Sequence, residues 1–218
     1  MKKILLLLTI CIATLNATAQ LLEPGKEVYK SPKLKEAIKT HHTVAILPFD
    51  THITYRKVPK DFDSVAHVRE EGELAKQVQF EVYTSLMKEF FKYKVRFQNV
   101  METNRLLQQA GMSGSLDVFS KDEIAKALGV DAVICGDFLR KENTPNVGVV
   151  TAAVFGYNKT AEVTMSLKIA NGADGEVLWA YTKRMNEMGA PEAKDVFERQ
   201  MEKLTRNLPY TRGVFSVF

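Results

Sequence analysis

The 218-residue sequence is poor in cysteine, with Cys11 and Cys135 as its whole complement. Cys11 stands within the amino-terminal apolar run, which reads as a removable signal, so Cys135 has no partner within the mature chain. A disulfide-stapled fold is thereby excluded. Phosphate-binding glycines are missing too: Gly111-Met112-Ser113-Gly114 lacks the following lysine and the strand-to-helix setting that a phosphate loop needs. No serine stands in a nucleophile elbow, and no histidine lies near Cys135 in the sequence. Nor is there an excess of one charge. Thirty Lys and Arg face 26 Asp and Glu for a formal +4, and loss of Lys2 and Lys3 with the signal lowers it by two. That is no electrostatic footprint for nucleic acid. Internal repeats, low-complexity segments and a second long apolar run are also lacking.

The amino terminus has the three parts of a secretory signal: Lys2 and Lys3, the apolar run Ile4 to Leu15, and Ala17-Thr18-Ala19 as a small-x-small cleavage site before Gln20. The run is shorter than the roughly 20 residues of a spanning helix. Cys11 follows the bulky Ile10, where lipoprotein processing wants small residues. The expectation is a signal over 1–19, cleaved after Ala19, and a protein of the periplasm or the periplasmic face of the outer membrane. Residues 20–218 suffice for one domain with a proper core.

Residues 20–42, rich in lysine with Pro24, Gly25 and Pro32, read as an extended arm, and 43–218 as a single α/β domain. Val44 to Phe49 is a short apolar run with Pro48 at its end, as in a buried strand. Thr51 to Asp63 reads as a polar loop. Leu74, Val78, Val82, Leu86 and Phe90 recur every four residues, widened by Ala75, Tyr83 and Met87, and predict a long helix laid on a sheet. Val95 to Val100 is a second strand and Thr103 to Ala110 a short helix stopped by Gly111. Ser120 and Glu123 form a capping box for a helix that ends at Gly129, before a third strand over Val130 to Phe138. The crossovers make these three strands parallel. Val163, Met165, Leu167 and Ile169 alternate with polar residues, and a turn at 171–175 returns the chain through Val177 to Thr182 as an antiparallel hairpin with one wet face. Pro191 opens a final helix carrying Val196, Gln200, Leu204 and Leu208. The fold class is α/β with an α+β tendency: one mixed sheet of about five strands covered by about four helices.

Candidates for chemistry are few. His41 and His42, adjacent on extended backbone, point to opposite faces and cannot chelate together. With His52 they suggest at most a three-ligand metal site, and they read better as surface histidines. Asp50, Asp131 and Asp137 stand beside strand ends, where open α/β sheets bind ligands, but aspartates also form turns there. Cys135, in an apolar run, reads as a small buried hydrophobe rather than a reactive thiol. No catalytic residue, metal or cofactor is assigned.

Val44-Ala45-Ile46-Leu47-Pro48-Phe49, the long helix, and Ala127-Leu128-Gly129-Val130-Asp131-Ala132-Val133-Ile134-Cys135-Gly136 form one half of an ordered pattern. Leu167-Lys168-Ile169 with Gly175-Glu176-Val177-Leu178-Trp179 forms the other. Over roughly 43–208 the chain resembles a superfamily of bacterial envelope proteins. That superfamily holds the curli-secretion channel subunit, the penicillin-binding-protein activator lipoproteins and the amino-terminal domain of the Tol–Pal translocation protein. The resemblance implies an anticodon-binding-like sheet, as in that amino-terminal domain, and a non-catalytic role. The chain departs from these relatives in lacking their lipidated cysteine. Its stretch 143–159 is also too short for two pairs of membrane-spanning strands of about 9–11 residues each, so no pore is implied.

Two readings of function follow. In the first, the protein is an exported, non-catalytic binding or assembly module that docks on another envelope protein or on itself, with no nucleic acid and no transmembrane helix once the signal is gone. Its candidate interface is Val147, Val149, Val150, Val154 and Phe155, in an apolar stretch free of charge with Gly148 and Gly156 near its two ends. In the second, it is a small hydrolase or metal-dependent enzyme using the strand-end aspartates and the histidines. A concave site drawing together His41, His52, Asp50 and Asp137 separates the two.

Overall fold

A computed structural model describes residues 26–114, 116–142, 161–186 and 201–212. Its frame is one mixed sheet, seven-stranded among the described residues. In chain order the strands are β1 (Lys26–Lys30), β2 (Thr43–Ile46), β3 (Asp50–Tyr55), β4 (Arg96–Phe97), β5 (Ala132–Glu142), β6 (Ala161–Asn171) and β7 (Val177–Asn186). The helices are α1 (Leu34–Ala37), α2 (Ser64–Lys88), α3 (Val100–Gln109) and α4 (Lys121–Leu128), and residues 201–206 are helical as well. Across the sheet the order is β1-β7-β6-β5-β2-β4, with β3 also paired to β5.

The parallel half follows the expected crossovers. β2 pairs in parallel with β4 on one side and with β5 on the other. β3 pairs in parallel with β5 further along, from Asp50↔Asp137 to Tyr55↔Glu142. Thr43 to Tyr55 therefore runs beside β5 as one interrupted strand, with the break at Pro48, which has no N–H for a ladder. The Ile46 carbonyl at that break accepts from the buried Gln79 side chain of α2 at 2.7 Å, and Gln79 exchanges two 3.0 Å bonds with Asn104 of α3. The antiparallel half is the expected hairpin: β5 pairs β6 from Ala132↔Asn171 to Glu142↔Ala161, and β6 pairs β7.

Each face of the sheet has its own core. On the first, Val44, Ile46, Ile134, Phe138, Val163, Met165, Leu167, Ile169 and Trp179 share a buried cluster with Leu74, Val78, Val82 and Leu86 of α2 and Leu204 and Leu208 near the carboxyl end. On the second, Ala45, Leu47, Val133 and Ala170 meet Leu107 of α3 and Ile124, Ala125 and Leu128 of α4. Both short helices are capped as their sequences dictate. Asn99 accepts from Met101 N–H, Ser120 and Glu123 close the capping box, and Gly129 takes φ 65° at the end of α4.

Four expectations need correction. Of the expected loop Thr51 to Asp63, residues 51–55 belong instead to β3, whose outer edge is met by α2: Glu71 Oε1 accepts from Ile53 N–H at 2.8 Å, and the Glu71 carbonyl accepts from Thr51 Oγ1 at 2.6 Å. Residues 26–30 of the expected arm are edge strand β1, antiparallel to β7, so the sheet holds more than five strands and begins before Thr43. Ser31 continues the attachment, its N–H bonded to the Leu178 carbonyl at 2.8 Å. The second parallel strand shrinks to Arg96–Phe97, because Val100 already belongs to α3. Finally α2 stops at Lys88, and a 3₁₀ turn over Phe90–Lys92 swings Phe90 out of the apolar stripe into solvent, where Met87 is also exposed. The start of the expected carboxyl-terminal helix, at Pro191 and Val196, lies outside the described residues.

Candidate functional site

The residues that could make a catalytic or metal site fall into two separate groups. The first gathers where β2 begins. His41 is not the surface residue expected; it is 5% exposed. Its Nε2 lies 3.2 Å from Asn171 Oδ1 and its Nδ1 2.7 Å from the Tyr210 hydroxyl. Asn171 donates through Nδ2 to Asp174 at 2.9 Å, which fixes Oδ1 toward the imidazole. That oxygen can only accept, so Nε2 carries the proton and Nδ1 accepts from Tyr210. The arrangement suits neutral imidazole, and burial lowers the His41 pKa against the weaker opposing pull of Asn171 and Asp131. Burial likewise raises the Tyr210 pKa, with the Asp131 charge adding to it. Beside them Asp131 Oδ2 accepts from His42 N–H and Thr43 N–H, both at 2.8 Å. Burial works against the Asp131 charge, but these two bonds and the neighbouring histidines hold its carboxyl below the usual range. Every polar atom named here is turned toward a protein partner. The group fastens the start of β2 to the hairpin turn and to Tyr210; it presents neither a nucleophile nor an open coordination position.

The second group lies along β5. Asp50 and Asp137 face each other in the β3–β5 register, His52 Nε2 is 3.3 Å from Asp50 Oδ1, and Lys168 Nζ is 2.7 Å from Asp137 Oδ2. All four side chains are more than a third exposed. The Asp137 hydrogen bond keeps Lys168 protonated, its pKa raised above the ordinary value. Lys168 with Asp137 is a solvated ion pair and His52 with Asp50 a solvated polar contact, of the kind that stabilises little. Cys135 is next to this group, and burial pushes its thiol pKa up, which leaves it a poor nucleophile.

The two groups do not meet. His41 neighbours Asp131 at the start of β5, whereas His52 stands opposite Leu139. From Asp131 to Leu139 the strand runs roughly 26 Å at about 3.3 Å per residue. No set of three or more His, Cys, Asp or Glu among the described residues is arranged to hold a metal ion. A shallow cavity of about 210 Å³ opens elsewhere, lined by Lys26, Tyr181, Lys203, Arg206 and Asn207. Lys26 Nζ lies 5.5 Å from the Tyr181 ring centre, but the lining holds no acid–base pair.

What the sheet leaves uncovered is more informative. On its second face α3 and α4 reach only as far as Cys135, and beyond them Asp137, Leu139 and Lys141 of β5 are in contact with solvent. Among the described residues, the half that α3 and α4 do not reach carries paired polar groups, Ser166 with Thr182 at 3.2 Å and Glu162 with Arg184 at 3.3 Å, and is the wet face expected of the hairpin. β5 and β6 stay in register there to their last pair, Glu142↔Ala161. The candidate interface residues Val147, Val149, Val150, Val154 and Phe155 belong to the stretch that joins these two ends, and lie outside the described residues. Among the described ones, large apolar side chains are exposed along α2 and just after it, at Phe80, Met87, Phe90 and Phe91. Sequence periodicity assigned Met87 and Phe90 to the core and could not signal the turn that exposes Phe90. No helix of the described residues is long and apolar enough to cross a membrane.

No family model matches the chain, and no curated protein matches it in sequence. Solved structures with likeness to it include lipoprotein GNA1162 of Neisseria meningitidis, at 11% identity and TM-score 0.42, covering 76% of this chain and 98% of that one. A PelC dodecamer from Paraburkholderia phytofirmans is similar at 11% identity and TM-score 0.40, covering 86% and 99%. The carboxyl-terminal domain of LpoB from Salmonella enterica is similar at 10% identity and TM-score 0.33, covering 72% and 94%.

Proposed function

We propose that this protein is an exported, non-catalytic module of the cell envelope that works by association, with another envelope protein or with a second copy of itself, through Val147, Val149, Val150, Val154 and Phe155. The observation that carries this reading is the β5–β6 pair, in register to Glu142↔Ala161 on the half of the sheet that α3 and α4 leave bare. A charge-free apolar stretch thus joins two strands that end side by side, as a connection that serves recognition would. The enzyme reading has less support. Its histidines and aspartates sit in two groups well apart along β5, one around the buried, hydrogen-bonded His41 and one solvated.

The test uses the mature chain and its variant V149S/V154S/F155S, each carrying an affinity tag. Each is mixed with envelope extract and with a differently tagged copy of the wild-type chain. The unmodified protein retains a specific companion or its second copy, and the variant loses it. Identical companions for both chains would overturn the reading.

A further inference from the structure

After the helical residues 201–206 the chain from Tyr210 to Arg212 lies antiparallel to Lys92–Lys94. Lys94 N–H donates to the Tyr210 carbonyl at 2.9 Å, Arg212 N–H donates to the Lys92 carbonyl at 2.7 Å, and Thr211 stands opposite Tyr93. The Arg212 guanidinium fastens the same place, its Nε 3.0 Å from the Tyr93 carbonyl. The direction of this short ladder matters. At Arg212 the chain is heading toward Phe91 and away from Lys94.

That neighbourhood is unusually apolar for a surface. Phe90 is 62% exposed and Phe91 59%, their rings edge to face at 6.0 Å. Phe80 and Met87 of α2, seven residues apart and so on one helix face, are 53% and 37% exposed. The next residues of the chain are Gly213-Val214-Phe215-Ser216-Val217-Phe218, four of them large and apolar and none charged. Extended, six residues reach roughly 20 Å. Phe80 and Met87, seven residues apart on α2, are separated by a rise of roughly 10 Å, and Phe91 follows three residues after the helix end at Lys88. The tail can therefore cover the whole row from its anchor at Lys92. A tether this short also holds it at an effective concentration in the millimolar range, which favours the molecule's own tail over that of a second copy.

We propose that residues 214–218 lie on the apolar face made by Phe80, Met87, Phe90 and Phe91 of the same molecule. The tail covers side chains that would otherwise form an adhesive patch.

The experiment is a cysteine crosslink in the full mature chain, with the half-buried Cys135 left in place. One variant carries Met87→Cys with Phe215→Cys. The control carries Val65→Cys with Phe215→Cys, since Val65 lies about 22 residues from Met87 on the same helix, roughly 33 Å away. Dilute protein is oxidised mildly, and the monomer fraction is digested for mass spectrometry after circular dichroism has established that each variant is folded. The expected result is a within-chain crosslink for the first pair and none for the control. A crosslink only between chains, no crosslink at all, or equal crosslinking of both pairs overturns the proposal. A second variant needs no cysteine: Phe215→Glu with Phe218→Glu should raise binding of an apolar dye severalfold, and unchanged dye binding contradicts the proposal.

Discussion

Gly136 is the tightest position on β5. A Cβ there would come within 2.0 Å of the Ser166 carbonyl oxygen and 2.6 Å of the Phe49 ring. The ring that follows Pro48 thus lies directly over the strand, and only glycine leaves room for it. Gly136→Ala should cost about 1–3 kcal/mol through overpacking, read as a lower urea midpoint; an unchanged midpoint would mean that Phe49 is not seated there. His41 makes a different kind of claim, one about pH. Because burial lowers its pKa in the folded protein, the unfolded chain binds the extra proton first. The stability that neutral His41 provides is complete above the ordinary histidine value of about 6.5 and is lost as pH falls below it. Urea midpoints at pH 7.5 and pH 5.5 should therefore differ more for the wild type than for His41→Gln, which has no proton to take up. Equal pH dependence of the two would show that His41 is not held neutral. None of this was legible in the sequence. The partner that buries His41 is Tyr210, 169 residues away.

At the scale of elements, legibility followed apolar periodicity and failed where another group replaced it. β5, β6, β7 and α2 carry their patterns in their own side chains, and Val163, Met165, Leu167, Ile169 and Trp179 are buried as alternation requires. β3 reads Asp-Thr-His-Ile-Thr-Tyr, with Thr51 at a buried position where an aliphatic residue would have announced a strand. Its hydroxyl is satisfied by the Glu71 carbonyl, a partner supplied by tertiary structure. β1 is an edge strand with four of its five residues exposed, so it needs no alternation. In α2 the periodicity ran past the true helix end at Lys88 and took in Phe90. Glu71 gives the element-scale prediction. Glu71→Ala removes the acceptor of Ile53 N–H and should cost about 1–3 kcal/mol locally. Hydrogen exchange should quicken at Ile53 roughly tenfold or more while the central strand at Val133 keeps its protection. Unchanged exchange at Ile53 would leave β3 without the role assigned to α2.

For the whole molecule, the described residues form two cores on opposite faces of one sheet, and α3 and α4 leave part of one face unroofed. The class and the parallel-plus-hairpin plan were readable because each half obeys a connection rule. The candidate interface was readable only as composition, since residues 143–159 have no periodicity to fix their position. Export is tested separately: amino-terminal sequencing of protein from the envelope fraction should begin at Gln20, and a start at Met1 or a lipid on Cys11 would remove the proposed compartment. The central claim is association through the apolar stretch, and one comparison tests it most directly. Size-exclusion light scattering and a thermal melt are run side by side on the mature chain and on V149S/V154S/F155S. Association lost at an unchanged melting temperature is the predicted result; a much lower melting temperature with the assembly state unchanged would make those residues part of the core and contradict it.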